Sequence, residues 1–270
     1  MVQYNPSLKA ASMLFKMENS LRDYIDGGHA NLTETMSTPS PWLSAIEDCY
    51  AFFKDGLLTG EQDVTPTGAV LLMNSFMLYV SAIRMALTGH AAATYPLLRT
   101  ALESVCYGHL MACDAEVERI WLDRHKDEAS TKAARNRFTS AVTDVAKAIA
   151  RAESQPAKAD VIIAAYQGSI DYGAHPNPKA VYSHMQPPKD IGTHVQVDLT
   201  GLHHAGSLEY DRSLLACFHF AILIATIMAH ALTTVSDETL QKLHGLNDMK
   251  EALLESEFPE AYAAMGPLPR

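Results

Sequence analysis

Residues 171–204, DYGAHPNPKAVYSHMQPPKDIGTHVQVDLTGLHH, hold five of the chain's twelve histidines: His175, His184, His194, His203 and His204. Neutral imidazole binds zinc, copper or nickel, and three convergent nitrogens make a catalytic metal site. The five are therefore candidate ligands for a divalent metal. Their spacings match no compact zinc pattern such as H-x₃₋₅-H, and Asp171, Asp190 and Asp198 are the segment's only carboxylates. Ordinary loop and hairpin hydrogen bonds are the plainer expectation. His175, in a proline-bounded turn directly after a helix, is the first to test.

Two further groups carry polar chemistry on apolar helices. Arg212, His219, Thr226 and Thr233 recur every seven residues, with His230 four beyond Thr226. At helical pitch these fall on one face. Buried polar groups need partners, so the stripe either bonds neighbouring helices or lines a polar groove. Arg99 and Glu103 stand at i and i+4 among Leu97, Leu98, Ala101, Leu102 and Val105. A partly buried pair must be matched by further hydrogen bonds, and its guanidinium can hold an anionic group. Arg99, Glu103, His175, Arg212 and His219 are the candidate ligand-binding residues. Cys106, His109 and Cys113 also share a helix face, where core packing is the expectation.

Composition and absent motifs narrow the classes. The net charge is −10 with histidine neutral, which disfavours nucleic acid as a partner. Cys49, Cys106, Cys113 and Cys217 form no CxxC pair and sit in apolar helical surroundings, as buried residues of a reducing compartment do. The N-terminus lacks the basic region and apolar core of a signal peptide, so a cytoplasmic protein is expected. Residues 64–83 and 213–236 carry no Asp, Glu, Lys or Arg. Internal histidines, Pro66, Asn74 and the lack of aromatic belts point to buried core helices rather than membrane spans. There is no HExxH, no Glu-x-x-His, no P-loop, no dinucleotide glycine fingerprint, no EF-hand and no GxSxG elbow.

These residues must be positioned by helices. Asn5-Pro6 opens a first helix that Gly27-Gly28 should stop, followed by a polar linker over 29–39. Ser40-Pro41 starts a helix reaching about Gly60, and Thr65-Pro66 one reaching about Gly89. Helices over 91–112, 115–154 (broken near 127–131), 158–170 and 207–234 follow, and Ser236-Asp237-Glu238 opens the last. Residues 180–186 and 193–199 alternate like strands around PPKDIG. The register that segregates polar from apolar faces places His184 opposite His194, Tyr182 opposite Gln196 and Ala180 opposite Asp198.

LLRTALES on an apolar helix, followed by DYGAHPNP, resembles a group of uncharacterised bacterial all-helical proteins, some of which are thought to be distant relatives of the HEPN superfamily. HEPN ribonucleases carry an Arg-x₄₋₆-His motif that forms a dimeric RNA-cutting site. Arg84 with His90, Arg119 with His125, and Arg212 with His219 match its spacing. The family's motif generally has a polar residue after the arginine. Met85 and Ile120 depart from that, and Ser213 does not. The resemblance therefore implies Arg212 and His219 as its site.

The fold expected is a single all-α domain over residues 1–270, a bundle of about seven or eight helices with a small β-hairpin insertion at about 180–199. Residues 1–60 supply N-terminal helices, 64–235 the core bundle and 236–270 a terminal helix and tail. A homodimer is expected, because a small hairpin and two very apolar helices need cover. The leading functional expectation is a small-molecule pocket, with or without a metal, between core helices and the 171–178 turn. A HEPN-like ribonuclease or an inactive toxin-type relative is the alternative, and a scaffold or interaction protein without a catalytic site is a third.

Overall fold

The computed structural model describes residues 20–38, 40–191 and 195–265. The chain is built almost wholly of helix. In order these are α1 (Leu21–Ser37), α2 (Pro41–Phe52), α3 (Pro66–Leu87), α4 (Ala91–Ala112), α5 (Ala115–Leu122), α6 (Glu128–Phe138), α7 (Ala141–Ala152), α8 (Ala157–Ser169), α9 (Pro178–Tyr182), α10 (Leu208–Ala231), α11 (Asp237–Glu257) and α12 (Pro259–Met265). A π-helical turn, Phe53–Leu57, extends α2, and another, Ile170–Ala174, extends α8. The all-α class is as expected, with more helices than the seven or eight anticipated.

Local chemistry explains most boundaries. Ser40, Thr65, Asp114, Asp127, Asn177 and Ser236 each accept a hydrogen bond from a backbone N–H in the first turn of the helix they precede. Pro41, Pro66 and Pro178 occupy first helical positions, where a missing N–H costs little.

Three expectations are overturned. Gly27-Gly28 does not stop a helix, and 29–37 is not a linker, because α1 runs through both. A Cβ on Gly27 would sit 3.1 Å from Leu202, and one on Gly28 would sit 3.2 Å from His90. Both glycines serve close packing there instead of terminating the helix. The helix expected from Asn5-Pro6 lies outside the described residues. The third correction is the hairpin. Asn177-Pro178 caps and starts α9 where a strand was expected, and pairing is confined to β1 (Lys189–Asp190) and β2 (Val195–Gln196). Lys189 faces Gln196 and Asp190 faces Val195, with one further bridge between Met185 and Leu199. The expected pairs of Tyr182 with Gln196 and Ala180 with Asp198 are therefore absent. His194 lies outside the described residues.

The core is organised around α3, α4 and α10. The α3–α4 helical hairpin turns at Thr88–His90, and α10 packs across both, with α2, α7 and α11 around it. Tyr79, Leu98, Leu102, Leu214, Phe218 and Ile224 are fully buried at the centre. Helices α3 and α10 are both long and apolar enough to cross a membrane. In α10 that character meets a second purpose, since two thirds of its most apolar window is enclosed by other helices.

Gly89 closes the α3–α4 turn at φ +82° and accepts from the His203 N–H at 2.9 Å. Asn31 of α1 donates to the carbonyls of Thr88 and His203, so one side chain joins three segments. A Cβ on Gly89 would overlap the His203 oxygen and come within 2.5 Å of Asn31 Nδ2. Gly89→Ala should lower the unfolding free energy by about 1–3 kcal/mol in urea titrations. Gly245→Ala, in open space on α11, should leave it unchanged or raise it by up to about 1 kcal/mol. Equal effects at the two positions would contradict this reading of the turn.

Candidate functional site

The polar stripe of α10 lines a groove. A cavity of about 600 Å³ lies between the α7–α8 junction, α10 and α11. Its polar wall includes Glu153 and Lys158, then His219, Thr226 and His230 of α10, Thr233 just after it, and Asn247 and Lys250 of α11. Ile162, Leu223 and Leu243 are among its apolar lining. A second cavity of about 320 Å³ adjoins it. Tyr95 of α4, Tyr172 of the π-helical turn, Arg212, Phe220 and Leu254 line this one. His219 and Lys250 line both. Arg212, His219, Thr226, His230 and Thr233 thus face cavity space, as the groove alternative required.

Lys250 stands at the junction. Its side chain is only 3% exposed, donates to Asn247 Oδ1 at 3.0 Å and pairs with Glu251 at 3.1 Å. Burial lowers its pKa against the opposing pull of the Glu251 carboxylate. The Asn247 Nδ2 is buried without a hydrogen-bond partner among the described residues. His219 is half-buried and lines both cavities. Burial first, and then the Lys250 charge, push its imidazole down to about 3, so it is neutral at physiological pH.

Each end of the groove is held by ion pairs. Glu153 accepts from His230 Nε2 at 2.8 Å and from Lys158. Burial would raise its pKa, but those two donors prevail and hold the carboxyl below its ordinary value. Arg212 pairs with Glu209 and lies 5.5 Å from the centre of the Tyr172 ring. Tyr172 in turn packs on Tyr95, ring centres 5.7 Å apart. The Tyr95 hydroxyl is buried without a hydrogen-bond partner among the described residues, and burial raises its pKa.

Arg99, Glu103 and His175 also meet, in a separate network. Arg99 Nε donates to Glu103 at 3.1 Å, Nη2 to the Tyr166 hydroxyl at 3.0 Å, and Nη1 lies 2.7 Å from His175 Nε2. A guanidinium can only donate, so His175 accepts through Nε2 and carries its proton on Nδ1. Tyr166 completes the ring by donating to Glu103 at 2.7 Å. Tyr166 was missed at the sequence level, because one tyrosine on an apolar helix carries no spacing signal. No hydrogen bond among the described residues joins this network to Arg212 or His219. The two groups flank the same elements: Tyr95 and Arg99 are one turn apart on α4, and Ala165 and Tyr166 are neighbours on α8. Gly173 brings the π-helical turn against α4, where a Cβ would sit 2.9 Å from the Ala92 oxygen.

The described histidines of the histidine-rich segment do not converge on a metal site. His175 is held by Arg99. His184 Nδ1 bonds His203 Nε2 at 2.8 Å, and the expected partner His194 lies outside the described residues. His204 lies 3.0 Å from the Ala205 oxygen. No group of three or more His, Cys, Asp or Glu side chains among the described residues could hold a metal ion. Cys113 corrects a further expectation, being exposed at the end of α4 while Cys49, Cys106 and Cys217 are buried. No family model, no curated protein and no solved structure matches this chain.

Three enclosed histidines give a pH signature. Burial holds His109 and His203 down to about 4 and His219 to about 3, against an ordinary value of 6.5. Between those values the unfolded chain binds more protons than the folded one, so stability is full above about 6.5 and falls with acidification. His219→Gln should flatten the slope of unfolding free energy against pH by about half a proton at pH 6.5, rising to about one proton at pH 5. An unchanged slope in urea titrations across that range would show that His219 titrates normally.

Proposed function

We propose that the protein binds a small amphipathic molecule with an acceptor head group, such as a carboxylate, in the paired cavities along α10. The observation that carries this reading is the shared wall of His219 and Lys250, where a buried cation and unmatched donors meet apolar lining. Tyr95 and Asn247, which line the cavities, each carry a buried donor without a partner among the described residues, and Arg212 adds a second cation. A carboxylate or carbonyl oxygen satisfies such groups, and an apolar body fits beside Ile162, Leu223 and Leu243. The volume of the larger cavity falls within the usual range for small-molecule sites of about 300–1,000 Å³.

The geometry favours this over the HEPN-like alternative. Arg212 is engaged by Glu209 and Tyr172, and His219 opens onto the cavities as a neutral imidazole. The net charge of −10 also favours a small ligand over RNA.

Decanoate tests the proposal. At about 100 times its Kd it should stabilise the folded protein by about 2.7 kcal/mol, read as a raised Tm. Lys250→Met should weaken that binding at least about tenfold, the scale of one lost charged hydrogen bond. Absence of any stabilisation across the acids from hexanoate to dodecanoate would overturn it.

A further inference from the structure

We propose that Lys250 is a reactive amine that captures the carbonyl carbon of an aldehyde or ketone held in the cavities, forming an imine. The inference rests on the pocket reading above and names a covalent partner class for it. Lysines that act as nucleophiles share an enclosed apolar setting and a nearby group that can take and return a proton. Lys250 has both. Lys250 lines both cavities, with Ile162, Leu223 and Leu243 in the larger one and Phe220 and Leu254 in the smaller. Glu251 sits 3.1 Å from the amine. Asn247 Oδ1, at 3.0 Å, orients Nζ, while its Nδ2 has no hydrogen-bond partner among the described residues and is a donor for a carbonyl oxygen.

The steps balance without an outside reagent. The ammonium passes one proton to the Glu251 carboxylate. The neutral amine then attacks the carbonyl carbon, forming a C–N bond while the carbonyl π pair moves to oxygen. A proton shifts from nitrogen to that oxygen, giving a carbinolamine. Glu251 returns its proton to the hydroxyl, which leaves as water, and the nitrogen lone pair forms the C=N bond. The products are a protonated imine, the Glu251 carboxylate and one water. Burial assists the first step, since it lowers the Lys250 pKa from the ordinary 10.5 and raises the fraction of neutral amine. His219, on the same wall, is neutral and adds no opposing charge.

Octanal with sodium cyanoborohydride tests this on the intact protein, because the reductant fixes an imine as a stable secondary amine. Peptide mapping should place the first adduct on Lys250, formed at least about tenfold faster than on exposed Lys54, Lys189 or Lys242. Excess decanoate should slow the Lys250 adduct and leave the exposed lysines unaffected. Labelling of Lys250 no faster than that of the exposed lysines overturns the inference. If decanoate still stabilises the protein in that case, the pocket reading stands without the imine. If it does not, both fall. Lys250→Met should lose the fast adduct, and a variant that fails to fold leaves the wild-type mapping and competition as the deciding measurements.

Discussion

Between Ser213 and Ala231, α10 carries no carboxylate, lysine or arginine, and its apolar face is sealed by α2, α3 and α4. That burial is a large part of the hydrophobic core, yet the same helix carries His219, Thr226 and His230. Such groups are costly inside a dry core unless they are hydrogen-bonded or reach solvent. The fold meets this by turning the polar stripe toward α8 and α11, which stand off from α10 and leave cavity space. Thr226 bonds back to the Ile222 carbonyl, His230 pairs with Glu153, and His219 stays neutral. The groove is thus the other side of the constraint that builds the core.

A second polar network sets where the groove closes. Arg99, Glu103, Tyr166 and His175 tie α4, α8 and the chain after the π-helical turn into one unit. Three contacts share a partly buried guanidinium and a fourth joins the Tyr166 hydroxyl to Glu103, so the ion pair is supported by neutral donors and acceptors as burial requires. The π-helical turn then carries Tyr172 against Tyr95 and beneath Arg212, forming the end of the smaller cavity. The network supports the site and does not line it. This separates Arg99, Glu103 and His175 from Arg212 and His219, although all five were first grouped together.

Helix boundaries were legible at Ser40-Pro41 and Thr65-Pro66, where a cap and a proline coincide, and at Ser236, where a cap precedes two acidic residues. The α10 stripe was legible because a period of seven on an all-apolar helix has few physical outcomes. What was not legible depended on contacts distant in sequence. Gly27-Gly28 look like a stop until Leu202 and His90 pack on them. Asn177-Pro178 carries the same start signal as the other helices, but strand-like alternation in the residues that follow masked it. Lys250 and Asn247 were missed for a different reason. On α11 they sit among charged and polar neighbours, so nothing local marks Lys250 as buried. Only the packing of α11 against α10 does that.

The central claim is that the cavities along α10 bind a small molecule. Hydrogen–deuterium exchange of the intact protein with and without decanoate addresses it directly, because binding slows exchange in the elements that enclose the ligand. Added protection is expected in α8, the middle of α10 and the Asn247–Leu254 part of α11, with α5 and α6 unchanged. Protection confined to other elements, or none at saturating ligand, would contradict it.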